Sequence, residues 1–118
     1  MADSEHPIEG QMVLLAGARA SVPLQRLSPL LETVQTYLDE HREAYGREYE
    51  RVAGPDPAVY LAPADHWETV AEAVGLEERE ADAVRRAHEA QFRREGRRTD
   101  RDEEFERSLE IRAPVVVG

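Results

Sequence analysis

Histidine, carboxylate and arginine side chains are the groups in this chain that could do chemistry, and their spacing decides how far each can go. The histidines are His6, His41, His66 and His88. No two stand three or four residues apart, so none forms the pair of ligands that a helix presents to a metal, and no HExxH is present. His41 and His88 fall on apolar helix faces, where a lone histidine ordinarily gives one hydrogen bond inside a core. His66 stands beside Trp67 in the first turn of a helix. A site built from His41, His88 and a carboxylate such as Glu48 would need the two long helices to face each other. Asp and Glu number 25, too many for any one pair to be diagnostic of acid–base catalysis. With no cysteine, thiolate metal sites, disulfides and a cysteine nucleophile are excluded. GxSxG, a glycine-rich phosphate loop and an EF-hand pattern are absent as well. The expectation is a protein with no catalytic residues, no metal site and no cofactor, hence not an enzyme.

Arginine is the more suggestive residue. All 15 basic residues are arginine, in a chain of 118 residues with a net charge of −10. Residues 79–101 hold eight arginines against five acidic residues, a positive stretch on an acidic background. At 100° per residue, Arg79, Arg86, Arg93 and Arg97 line up on one helix face. Arg93, Arg94, Arg97 and Arg98 are dense enough to grip a phosphate or an acidic partner in bidentate fashion. The competing reading is a solvated face whose arginines pair with Glu78, Asp82 and Glu89 three or four residues away.

Residues 65–98 also resemble a helix-turn-helix. Val70, Ala71, Val74, Gly75, Leu76, Ala81 and Val84 occupy that motif's apolar, small and turn positions. The resemblance implies a nucleic-acid-binding regulator with Arg79, Arg86, Arg93, Arg94, Arg97 and Arg98 as candidate phosphate contacts. Its reading end, however, is Glu77-Glu78-Arg79-Glu80-Ala81-Asp82, which would meet phosphates badly. The whole-molecule field also repels nucleic acid and anionic membranes. Nucleic acid is therefore the alternative partner. The leading one is a protein, or a second copy of this chain as a homodimer.

The lack of lysine beside an acidic excess has an environmental reading. In molar salt the Debye length shrinks to about 3 Å, so self-repulsion is screened, and guanidinium pairs well with carboxylate. In composition the chain resembles the small acidic uncharacterised proteins of extreme halophilic archaea. That resemblance implies a salt-rich cytoplasm and transfers no active site. Asp3, Glu5 and Glu9 are the opposite of a cationic export signal, and the apolar run Met12–Ala18 is too short to span a bilayer. A cytoplasmic protein with no membrane partner is expected.

These side chains must be positioned by a small fold. The length predicts one domain that buries about two-thirds of its unfolded surface. The class is mainly α (α+β): two long amphipathic helices, short helices, and a minor strand element from the chain ends. Residues 1–10 read as a flexible polar lead-in and 11–118 as the domain. Met12–Ala16, bracketed by Gly10 and Gly17, reads as a buried strand. Ser28 and Pro29 look like the N-cap and N1 of a helix running to Val52, after a short helical turn near Pro23–Leu27. A further extended piece at Ala58–Leu61 ends at Pro63. Asp65 and Glu68 suggest a capping box for a helix to Val74, with Gly75 after its end. The second long helix spans Glu77–Glu95 and stops at Gly96. Asp100–Leu109 reads as a short helix and Glu110–Val117 as an edge strand, available to pair with Met12–Ala16. Tyr37, Tyr45, Tyr49 and Trp67 are the candidate interface anchors, unless they are core residues.

Overall fold

In the computed structural model, which describes residues 6–118, the run that reads as a strand is a helix, α1 (Gly10–Ala20). Val13, Ala16, Gly17 and Ala20 are buried, a spacing that a helix gathers on one face. The period is hidden in the sequence because the outer residues Leu14 and Leu15 are apolar too, 55% and 45% exposed. Gly17 does not bracket the element but lies inside it. A Cβ there would stand 2.5 Å from the Val22 carbonyl oxygen, in the turn that Ser21 makes with φ of 59°. Gly17→Ala is therefore expected to lower the unfolding free energy by about 1–3 kcal/mol through overpacking. A lowered urea midpoint at unchanged slope would record it, and an unchanged midpoint would count against the tight turn.

The expected helix over Ser28–Val52 is three elements. The first, α2 (Leu24–Glu40), starts before Ser28, with Pro23 at its N-cap and Pro29 inside it. It buries Leu27, Leu31, Val34 and Leu38, a stripe at the three-and-four spacing of an amphipathic helix. His41, with φ −109° and ψ 15°, separates it from α3 (Arg42–Glu48), where Tyr45 continues the stripe. The last expected turn is instead strand β1 (Glu50–Ala53), drawn into a hairpin with β2 (Ala58–Pro63). Beyond Glu48 the helical spacing that reaches Val52 gave way to backbone pairing with a buried neighbour strand, a tertiary effect no local period reveals.

The helix α4 (His66–Val74) follows, and the Gly75 and Leu76 amides both bond the Ala71 carbonyl, with Gly75 at φ 78°. Asp65 makes no side-chain cap; the reciprocal capping box sits at Glu77 and Glu80 and opens α5 (Glu78–Arg98). The latter runs through Gly96 rather than stopping there. Gly96 is buried because α6 (Asp102–Ser108) crosses it: a Cβ would meet the Phe105 ring at 2.9 Å. Phe92 and Phe105 stack with centroids 4.2 Å apart.

Strand β3 (Arg112–Val117) pairs with β2 in antiparallel register, Ala58 opposite Val117 through Pro63 opposite Arg112. The sheet order is β1-β2-β3, so β3 finds its partner in mid-chain and not in the Met12–Ala16 segment, which is helical. As expected for a strand holding Pro114, it lies at an edge. Its outward groups are met by side chains: the Val116 N–H donates to His88 Nδ1 at 3.0 Å, and Trp67 Nε1 donates to the Pro114 carbonyl at 3.3 Å. The missing proline N–H falls on that same outward side, where it breaks no rung of the sheet.

Helix α5 is the hub, packed on α1, α2, α4, α6 and β3. Of the expected polar lead-in, residues 1–5 lie outside the described residues. Beyond them Ile8 is buried, and Glu9 is tied to α5: its N–H donates to Gln91 and its carboxylate accepts from Gln91, Arg94 and Arg98. These bonds, the Gln91 amide first, hold the Glu9 carboxyl down at about 2. Among the described residues no helix is long and apolar enough to cross a membrane.

Candidate functional site

The arginines that the sequence singles out have different fates. Arg94 and Arg98 reach back to Glu9, and Arg98 also to Glu95. Arg86 is paired with Asp82 at 2.8 Å, and Arg93 with Glu106 of α6 at 2.6 Å. Arg79 is exposed near the start of α5. Arg97 is exposed and makes no ion pair among the described residues. Of the partners expected three or four residues away, only Asp82 is used by one of these six, Arg86; Arg93, Arg94 and Arg98 are paired instead with Glu106, Glu9 and Glu95.

Two helices convert the remainder into a site. Where α1 packs on α5, a groove of about 200 Å³ opens between the two helices. Met12, Leu15, Ala16 and Ala90 form its apolar lining. Arg19 of α1 and Arg86, Arg93 and Arg97 of α5 stand around it, with Glu89 as the acidic member. Glu89 is itself engaged by Arg85 at 2.8 Å. Neither Arg19 nor Arg97 has a carboxylate partner among the described residues, so they supply uncompensated charge at this groove. Arg19 escapes a reading from sequence because its neighbours look like a strand; the helical period of α1 is the signal that would have found it.

The four aromatic candidates divide. Tyr45 and Trp67 are core residues, Trp67 held by its bond to the Pro114 carbonyl. Tyr37 and Tyr49 are half-buried and border a separate cavity beside α3. The histidines are not brought together as a site of His41, His88 and Glu48 would need. His88 is in the core against Trp67, with ring centroids 4.6 Å apart, and burial pushes its pKa down to about 3. His41 and Glu48 border the tyrosine cavity instead, together with His66. Among the described residues no group of three His, Asp or Glu side chains could hold a metal ion.

The helix-turn-helix segment does form a hairpin, α4–Gly75–α5. In it the second helix buries Ala83, Val84, Ala87, His88, Gln91, Phe92 and Gly96 beneath the other elements. The first turns of α5 expose Glu77 and Glu78. No curated protein and no solved structure matches the chain, whereas a family model does, over residues 6–118.

Proposed function

The chain belongs to the family described as Domain of unknown function (DUF8048), and from the surface it presents we propose that it is a non-catalytic interaction module that captures an acidic amphipathic segment of a protein partner between α1 and α5. One observation carries this reading. In a protein of net charge −10, Arg19 and Arg97 flank a groove with an apolar floor and have no carboxylate partners among the described residues. A helix with leucines on one face and glutamates on its flanks complements both features.

The energies divide unequally. An exposed arginine–carboxylate pair contributes about 0.2–1 kcal/mol, whereas burying one leucine contributes about 1.5–3 kcal/mol. The apolar floor at Leu15 and Met12 therefore supplies affinity, and the arginines set orientation and reject cationic partners. In the molar salt suggested by composition, screening to about 3 Å leaves contact pairs and apolar burial as the surviving forces.

The test is fluorescence anisotropy with a labelled amphipathic peptide carrying leucines at i, i+3, i+4 and i+7 and glutamates on both flanks. Exchanging both Arg19 and Arg97 for glutamate is expected to weaken binding about tenfold or more, since two attractions become repulsions. Leu15→Ser should weaken it as well. Circular dichroism should show all these variants folded, because neither arginine makes an ion pair or side-chain hydrogen bond among the described residues and Leu15 is 45% exposed. Light scattering adds the source of the segment: a dimer that dissolves in the double arginine variant means a second copy supplies it. Equal binding by wild type and double variant would overturn the reading. So would tighter binding of random-sequence duplex DNA than of the peptide at the same salt.

A further inference from the structure

The cavity beside α3 is built from aromatic rings. Tyr37 and His41, one turn apart at the end of α2, stack with centroids 4.1 Å apart. The stack is locked because His41 Nδ1 bonds the Tyr37 carbonyl oxygen at 2.8 Å. From α3 come Tyr45 and then Tyr49, 5.4 Å apart by centroid. Across the cavity, His66 at the start of α4 presents its ring edgewise to both, at 5.4 and 5.5 Å. Its Nε2 shares a 2.5 Å hydrogen bond with the Tyr45 hydroxyl. Pro63, Ala44 and Thr69 complete the wall, and the cleft, open to solvent on one side, holds about 330 Å³, at the small end of ligand sites.

The charges on this lining have one sign. Glu48 and Asp65, both exposed, are its acidic members, and no arginine borders it. Three of the rings, His66, Tyr45 and Tyr49, are pushed towards their neutral forms. Burial lowers the His66 pKa, outweighing the opposing pull of Asp65. Burial and the neighbouring phenols push the Tyr45 hydroxyl up, and burial with Glu48 does the same for Tyr49. Neutral rings offer π faces, whose negative quadrupole attracts a cation, and two carboxylates add attraction from the rim. An inorganic cation would need several converging oxygen ligands, which the described residues do not supply here. A soft cation clothed in methyl groups matches both the apolar walls and the charge.

We infer that the aromatic cavity formed by Tyr37, His41, Tyr49 and His66, with Glu48 and Asp65 at its rim, is a binding site for a small quaternary ammonium ion. The site lies on α2, α3 and α4 and shares no residue with the arginine groove, so either can fail without the other.

Choline is the probe, titrated into the full chain while the ring resonances of Tyr37, Tyr49 and His66 are followed by NMR. Saturable shifts at these rings are expected. The uncharged isostere 3,3-dimethylbutanol should bind at least about tenfold more weakly, since it keeps the shape and loses the charge. Tyr37→Leu and Tyr49→Leu should each weaken choline about three- to thirtyfold, whereas Tyr37→Phe and Tyr49→Phe, which keep the π face, should not. Both tyrosines are half-buried at the rim of the fold, and the phenylalanine variants control for lost packing. No saturable shift up to about 10 mM choline, where even a millimolar site would be mostly filled, overturns the proposal. Equal binding of the uncharged isostere overturns it too.

Discussion

Phe92→Ala is expected to remove about 3–5 kcal/mol of unfolding free energy, the loss typical of a fully buried ring. Phe92 has no exposed surface and lies parallel to Phe105, with 2° between the ring planes. Phe105 is the one buried residue of α6, a helix of 7 residues that is too short to persist on its own. Its ring sits in a slot bounded by Phe92, the bare backbone of Gly96 and the Arg101 guanidinium, 4.7 Å from the ring centre. Arg101 also donates to the Val52 carbonyl of β1, so the slot joins α5, α6 and the hairpin. Against a total of about 5–15 kcal/mol for a domain, the predicted loss is a large fraction. Urea unfolding should show a lower midpoint. A loss under about 1.5 kcal/mol would mean that the slot collapses onto the vacancy or is wet.

The second large effect is acid sensitivity set by a core histidine. His88 has its pKa lowered from 6.5 to about 3, first by burial and then by His6. The unfolded chain therefore binds a proton near pH 6.5 that the folded chain refuses. Stability from this group is fully present above pH 6.5 and declines as pH falls towards 3, by about 1.4 kcal/mol per unit. Protonation would also turn Nδ1 into a donor facing the Val116 N–H, which it now accepts. His6 and His66 are shifted downward as well and act in the same direction. Glu9, held at about 2, withdraws its own contribution only as pH falls through the range below 4.5. Unfolding free energies measured from pH 8 to pH 5 should be flat at first and then fall. His88→Gln, which retains an acceptor, should flatten that fall. Equal stability of the wild type at pH 7 and pH 5 would contradict a buried neutral His88.

What could be read from the sequence follows a physical division. Periodicity exposed the faces of α2 and α5, and Gly75 and Pro114 marked a helix end and an edge strand, because each is a local rule. The misreadings arise where a distant partner overrides the local signal. Gly17 looks like the end of a strand and Gly96 like the end of a helix, yet both lie inside helices where another segment comes too close for a Cβ. Glu50–Ala53 keeps a helical spacing with Tyr45 and Glu48 but becomes a strand beside β2. The sites divide in the same manner. Arg86, Arg93 and Arg97 share a legible face, while Arg19 joins them only through the packing of α1. Tyr37, Tyr45 and Tyr49 are legible as candidates within one stretch of chain, but His66 and Asp65, which close the cavity, arrive from another part of it.

The side chains of Trp67 and His88 along β3 have a consequence for how this protein behaves in a crowd. Residues 115–117 are three valines, and an uncovered edge of that kind invites strand addition by a neighbouring molecule and growth towards cross-β stacks. Here two of the outward groups that would template such growth, the Val116 N–H and the Pro114 carbonyl, are already engaged. Pro114 has no N–H to offer on that side. The seal is made by side chains of α4 and α5, so it survives as long as those helices stay docked. Partial unfolding that releases them would uncover the most self-adhesive segment of the chain.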